Sequence, residues 1–288
     1  MDDSWAVCVA ETALESTVTA TRRPPGGGVA ETVVLELAGS PGVAVCKRGG
    51  ASIWTGTVIE PAVLRLVRDR TDLPVPKVLA SGWIHASGRW TRWGLYEYRT
   101  GDTPTLEDRS TRLHLAVEAG ALLGKLHAAV PLDHRGGIDR VKGDLVIRPD
   151  LGVGALEWPL AGHRDGSRVV LDHGDFRPGN VLLEDGSIGT VLDWGNAHAT
   201  TAAFGLARAE ARFADAVGED ADERRRLRKA FRRGYRQYVD VPAAATIRRL
   251  KLLWLAQAAW NVLEVATTRS GRRTLARVLA APTRRAGS

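Results

Sequence analysis

Two carboxylates and one side-chain amide stand at spacings that suit phosphoryl transfer. Residues 169–183 read Val-Val-Leu-Asp-His-Gly-Asp-Phe-Arg-Pro-Gly-Asn-Val-Leu-Leu, and residues 190–195 read Thr-Val-Leu-Asp-Trp-Gly. Moving a phosphoryl group onto a hydroxyl needs a carboxylate that holds the hydroxyl and accepts its proton. It also needs hard oxygen ligands that keep Mg²⁺ against the nucleotide phosphates. Asp175 suits the first task, and Asn180 with Asp193 the second. His173-Gly174-Asp175 and Asn180 keep the spacing of an H-R-D-x-x-x-x-N catalytic loop, and Asp193-Trp194-Gly195 stands where such loops are followed by Asp-Phe-Gly. Glycine in place of the arginine marks a different branch. Each piece alone reads as a turn, a cap or a surface carboxylate. Flanked by apolar runs at 169–171, 181–183 and 191–192, the pieces read together as one site.

The elements that must position these groups change character along the chain. Residues 16–21, 32–37, 43–47, 78–80 and 93–98 have the composition of strands, with turns at Pro24-Pro25-Gly26-Gly27-Gly28 and Gly39-Ser40-Pro41-Gly42. A helical segment is predicted from Glu60 to Asp69, and a stiff extended piece at Leu73-Pro74-Val75-Pro76. From Leu113 onward apolar residues recur at helical spacing, and long helices are predicted over 202–217, 222–239 and 244–268. A mostly β part ahead of a mostly α part implies two lobes with a cleft between them, divided at 1–98 and 99–288. Gly120-Ala121-Leu122-Leu123-Gly124-Lys125-Leu126 imitates a phosphate loop, but its spacing is one residue short, Leu126 replaces Ser or Thr, and its periodicity is that of a helix.

Bulk properties exclude several classes. The 288 residues are 44% hydrophobic and 25% charged, ordinary for a globular chain that builds its own core. Cys8 and Cys46 form neither a disulfide framework nor a zinc cluster, and no apolar run reaches the length of a membrane span. The acidic start Met1-Asp2-Asp3 is unlike a secretory signal, so a cytoplasmic protein is expected. The net charge of +7 is concentrated in runs such as Arg224-Arg225-Arg226-Leu227-Arg228-Lys229, which at helical spacing read as a solvated face rather than a nucleic-acid motif.

The motif set resembles the aminoglycoside phosphotransferase and choline kinase-like superfamily, whose signature is H-G-D-x-x-x-x-N, a short hairpin, and a hydrophobic residue followed by Asp-Trp or Asp-Phe. The resemblance covers nearly the whole chain. It implies an α+β, protein kinase-like two-lobed fold, with a small β-rich and a larger helical lobe, using ATP, with GTP left open, and Mg²⁺. Asp175 is implied as the base, and Asn180 and Asp193 as metal ligands. Lys47, ending the strand Val43-Ala44-Val45-Cys46-Lys47, matches the phosphate-holding lysine, and Val45 on the same face is placed to cover the base. Glu60 opens a stretch resembling E-x-x-x-L-R-x-L and is the candidate partner of Lys47. The competing reading makes Thr57-Val58-Ile59-Glu60 a capping box, which Pro61 in the first helical turn favours. Gly26, Gly27 and Gly28 occupy the place of the loop over the phosphates. Tyr96 to Gly101 resembles the hinge, with the backbone of Glu97 and Tyr98 facing the base, and His127 matches a helix-end histidine with a structural role.

The acceptor side carries no transferable motif. Glu210, Glu264, Asp215 and Trp260 fall on the long helices and are candidates for substrate contacts. The expected reaction is O-phosphorylation of a small-molecule hydroxyl, on an aminoglycoside or a related basic peptide antibiotic, by a monomer or weak dimer that binds neither nucleic acid nor membrane. A metabolite kinase acting on a choline-like, sugar or amino-alcohol acceptor is the alternative. A catalytically silent kinase-like binding protein is a third reading, which intact Lys47, Asp175, Asn180 and Asp193 oppose.

Overall fold

A computed structural model describes residues 3–24, 30–50, 52, 56–86, 88–141, 144–149 and 168–267. Helix α1 (Ser4–Leu14) precedes the first strand that the sequence pattern points to, and was not itself predicted. Its buried face, Trp5, Ala6, Val9 and Ala10, is mostly small side chains and makes a faint apolar stripe. Strands β1 (Val18–Arg22), β2 (Ala30–Leu37), β3 (Val43–Gly49), β4 (Val78–Ala86) and β5 (Arg89–Glu97) form an antiparallel sheet in the order β1-β2-β3-β5-β4. The two-residue period of its strands divides labour. Val33, Leu35, Ala44 and Cys46 pack under α1, while Val34, Val45 and Lys47 face the opposite way. Between β3 and β4 lies α2 (Glu60–Arg70), anchored by Val63, Leu64 and Val67.

The second part is mainly helical. Helix α3 (Arg109–Ala129) starts at Asp108, whose carboxylate accepts from Thr111 N at 2.7 Å. A small sheet ordered β7-β6-β11-β8 follows, from β6 (Gly136–Val141), β7 (Asp144–Arg148), β8 (Val169–Asp172) and β11 (His198–Thr201). The hairpin of β9 (Val181–Glu184) and β10 (Ser187–Val191) separates the two motif loops. Helix α4 (Ala202–Glu210) runs into a π-helical turn (Ala211–Asp215) where the sequence predicts an uninterrupted helix. Helices α5 (Ala221–Tyr235) and α6 (Ala244–Thr267) complete the lobe.

The glycines that imitate a phosphate loop serve helix packing. A Cβ on Gly120 would lie 2.0 Å from Phe231 O, and one on Gly234 2.0 Å from Val117 O, so α3 and α5 touch backbone to backbone. The main core is continuous from α2 through Tyr96, Val191 and Trp194 to Phe213 and Phe231. Within it the rings of Trp194, His173, Phe176, Phe213 and Phe231 follow one another at centroid separations of 4.5–5.8 Å. That ladder fixes the loops carrying Asp175 and Asp193 against the helices. No helix among the described residues is long and apolar enough to cross a membrane.

Candidate active site

The loop after β8 is shaped by Gly174. Its φ is +85°, and a Cβ there would lie 1.8 Å from Asn196 O, so this position admits no side chain. His173 ties the two motif loops together: its Nδ1 accepts from Asp175 N at 3.2 Å while its Nε2 donates to Leu192 O at 2.9 Å. Both ring nitrogens are thereby assigned in the neutral form, and burial holds the ring below the ordinary histidine range despite nearby carboxylates. Asn180 closes the 3₁₀ turn Pro178–Asn180 and donates from Nδ2 to Asp175 O at 2.8 Å and to Asp175 Oδ2 at 3.0 Å.

Asp175 is also gripped by two guanidinium groups. Arg177 Nε donates to its Oδ2 at 3.1 Å, and Arg212 Nη1, from the π turn, donates to its Oδ1. Arg177 lies inside the motif at a position that the signature leaves variable, and Arg212 lies far from the motif along the chain, so neither was singled out from the sequence. Behind the loop, buried Asp172 accepts from Arg208 Nη2 and from Gly174 N at 3.2 Å, and faces His127 Nε2 at 3.4 Å. His127 Nδ1 meets Tyr235 OH at 2.9 Å. Burial, with the fields of Arg208 and Arg168, pushes the His127 pKa down to about 3, so the ring is a neutral strut between α3, β8 and α5.

Across the cleft, Lys47 Nζ donates to both Glu60 oxygens at 2.9 and 3.1 Å. Glu60 is 8% exposed and accepts further bonds from Tyr96 OH at 3.3 Å and Trp194 N at 3.2 Å. Burial draws the Lys47 pKa down, but the carboxylates of Glu60 and Asp193 outweigh it and the net shift is upward. Pro61 does not prevent the pair, because Glu60 is the first residue of α2 and a proline beside it removes an amide that a helix start leaves unbonded. The capping-box reading fails here. The cap position is Ile59, and Thr57 instead donates to Asp139 Oδ1 at 3.0 Å.

Lys47, Glu60 and Asp193 line a cavity of about 280 Å³ between the sheet and the second part. Val34 and Val45 form one apolar wall, and Leu182 and Leu192 the other, a slot suited to a flat ring. Of these, only Val45 was legible from strand alternation. Arg22 closes the rim by donating to Tyr98 OH at 2.9 Å. Glu97 and Tyr98 both line the cavity, but Glu97 N already donates to Lys77 O at 2.9 Å and Glu97 Oε2 accepts from Lys77 N at 3.0 Å. Gly26, Gly27 and Gly28 lie outside the described residues.

Asp193 is exposed, sits at φ +64°, and adjoins Asn180 through the bond from Leu192 N to Asn180 O at 2.8 Å. Because both Nδ2 bonds of Asn180 go to Asp175, its carbonyl oxygen is the pole left to offer a cation. One amide oxygen and one carboxylate are hard donors, and no group of three His, Cys, Asp or Glu among the described residues competes with them. Such a pair fits Mg²⁺, which takes few protein ligands and completes its shell from phosphate and water.

On the acceptor side one expectation is corrected. Glu210 is fully buried, and its carboxylate is bonded to Arg232 Nε at 2.5 Å and Lys251 Nζ at 2.5 Å. An acid on this helix cannot remain unpaired inside the lobe, so it serves packing rather than an acceptor. Asp215 is likewise tied to Arg228 at 2.5 Å and Lys251 at 2.6 Å. Trp260 and Glu264 belong to α6, but their side chains lie outside the described residues.

A two-lobed α+β fold with this cleft defines a kinase-like enzyme, and its class is that of a small-molecule kinase. The phosphotransferase enzyme family matches residues 24–253, and the chain belongs to that family. Macrolide 2′-phosphotransferase MphH from Brachybacterium faecium superposes with a TM-score of 0.58 at 16% identity, over 99% of this chain and 100% of that one. Amicoumacin kinase hAmiN, in complex with AMP-PNP, Ca²⁺ and Ami, gives a TM-score of 0.63 at 15% identity, over 96% and 92% of the two chains. Aminoglycoside phosphotransferase APH(3″)-Id from Streptomyces rimosus, in complex with ADP and streptomycin, gives 0.54 at 16% identity, over 88% and 97%. At these identities the likeness is one of fold. No curated protein matches the chain.

Proposed function

We propose that this enzyme transfers the γ-phosphoryl group of ATP to a hydroxyl of an antibiotic, an aminoglycoside or a related basic peptide, and so inactivates it in the cytoplasm. One observation carries the reading. Asp175, gripped by Asn180 and Arg212, is joined through His173 to the loop of Asp193, and Asp193 shares a cavity with the Lys47–Glu60 pair. Residues 1–98 then form the nucleotide-binding lobe and residues 99–288 the catalytic and acceptor-binding lobe, acting as a monomer or weak dimer.

In this reading MgATP supplies an electrophilic phosphorus whose oxygens the cation neutralises. Lys47 orients the phosphates, and Glu60 keeps the ammonium on the cleft side. Asn180 and Asp193 would hold the cation by their oxygens. Asp175 Oδ atoms take the acceptor hydroxyl by hydrogen bond and receive its proton, while Arg212 and Arg177 keep the carboxylate from turning away. The antibiotics named with the neighbouring structures, a macrolide, amicoumacin and streptomycin, support the acceptor class.

A second reading, a metabolite kinase, is favoured by the two guanidinium groups on Asp175, which repel a polycationic acceptor. The purified chain with MgATP and parallel panels of antibiotics and metabolites separates the two through acceptor-dependent ADP release. Protection of a sensitive bacterium against at least one antibiotic class, lost in Asp175→Asn, is expected. ADP release with a sugar or amino alcohol and with no antibiotic would transfer the conclusion to the second reading.

A further inference from the structure

The densest positive charge in the chain does not form the plain solvated face that its sequence suggests. Arg225, Arg228, Lys229 and Arg232 recur at positions i, i+3, i+4 and i+7, which places them along one stripe of α5. That stripe faces the first turns of α6, from which Arg248 and Lys251 point back. The six side chains surround a cavity of about 400 Å³, within the size range of small-molecule sites. Ala244 and Ala245 complete the wall, and their small side chains keep the gap open.

Its electrostatics are unbalanced. Asp215 is the one acid in the lining, and it is shared by Arg228 and Lys251. Arg232 is turned to Glu210 and Arg225 to Asp222. Lys229 and Arg248 are exposed and form no ion pair among the described residues. Four of the six cations are ion-paired, to Asp215, Asp222 and Glu210, so positive charge remains in excess around the open volume, and an anion beside Lys229 and Arg248 relieves it. The cavity shares no lining residue with the cleft that holds Lys47 and Asp193.

We propose that the gap between α5 and the start of α6 is a second binding site, for a small, multiply charged phosphate ligand. Several cationic groups at different angles match the many oxygens of an oligophosphate or a bisphosphorylated small molecule, whereas a single carboxylate would not span both Lys229 and Arg248 and the paired arginines around them. The site is independent of the catalytic reading above.

Calorimetric titration of the full chain in magnesium-free buffer tests this, with tripolyphosphate as the probe and fructose 1,6-bisphosphate as the organic counterpart. Binding by wild type is expected to weaken roughly tenfold or more in Lys229→Glu/Arg248→Glu, and to weaken as salt is raised. Thermal melting of that variant should match wild type, since both side chains are exposed. Lys47→Ala, which alters only the nucleotide cleft, should lose the probe's binding in that cleft and keep the binding that depends on Lys229 and Arg248. The tighter of the two probes identifies a free or an organic phosphate. The proposal is overturned if the double variant binds like wild type, or if Lys47→Ala abolishes binding. It is equally overturned if a single-stranded oligonucleotide binds through Lys229 and Arg248 more tightly than either probe.

Discussion

The cleft lined by Lys47 and the helices of the second part use the same residue types in opposite ways. In the cleft, Lys47, Glu60 and Asp193 face a shared space; Asp193 was legible from motif spacing, and Lys47 and Glu60 were candidates through the family resemblance. Among α4, α5 and α6, Glu210, Arg232 and Lys251 are turned inward on one another. A triphosphate with its cation has fixed chemistry and demands fixed partners, so its site leaves a recurrent pattern in sequence. Among the helices the same acids and bases serve as ties between elements.

The sharpest way to break this contrast is at Asp175. Asp175→Asn should lower kcat by about 10³-fold while leaving MgATP affinity within about twofold, as read by steady-state kinetics and nucleotide titration. Retention of substantial turnover would remove Asp175 from the role of base. Glu210→Ala probes the other side, since it leaves Arg232 and Lys251 facing a buried gap. A loss of about 3 kcal/mol in urea unfolding is expected, with the acceptor KM unchanged. A raised KM at intact stability would instead restore Glu210 as a substrate contact.

The most gradual effect, spread over several pH units, concerns the strut behind the loop. His127 is neutral in the folded chain, with a pKa near 3, whereas an unfolded histidine takes up its proton near pH 6.5. Below that pH the unfolded state binds more protons than the folded one, so stability falls as pH is lowered from about 6.5 towards 3. The slope from this ring is about 1.4 kcal/mol per pH unit. Denaturant melts across that window should show it, and His127→Gln should remove its share. An unchanged slope in the variant would mean that the ring is not held neutral.

Much of the fold was legible because period and punctuation are local. The strands at 32–37 and 43–47 and the helix from Glu60 match β2, β3 and α2 closely. Helix α1 escaped because its buried face is mostly alanine and valine, and β11 escaped because it is held by pairing with β6 and β8, which lie far from it along the chain. The π turn at Ala211–Asp215 has no local signature either, yet it carries Arg212 to Asp175.

The sequence by itself determined the class of chemistry, because His173-Gly174-Asp175, Asn180 and Asp193 lie within one short stretch whose spacing is set by a tight turn and a hairpin. Tertiary structure alone decided which charges are free and which are spent. Glu210 vanished into a buried pair, Arg212 and Arg177 closed on Asp175, and a stripe of α5 met Arg248 across an open gap. The physical reason is that a charge acquires its role from what lies within a few ångströms of it, and those neighbours are supplied by residues far away along the chain.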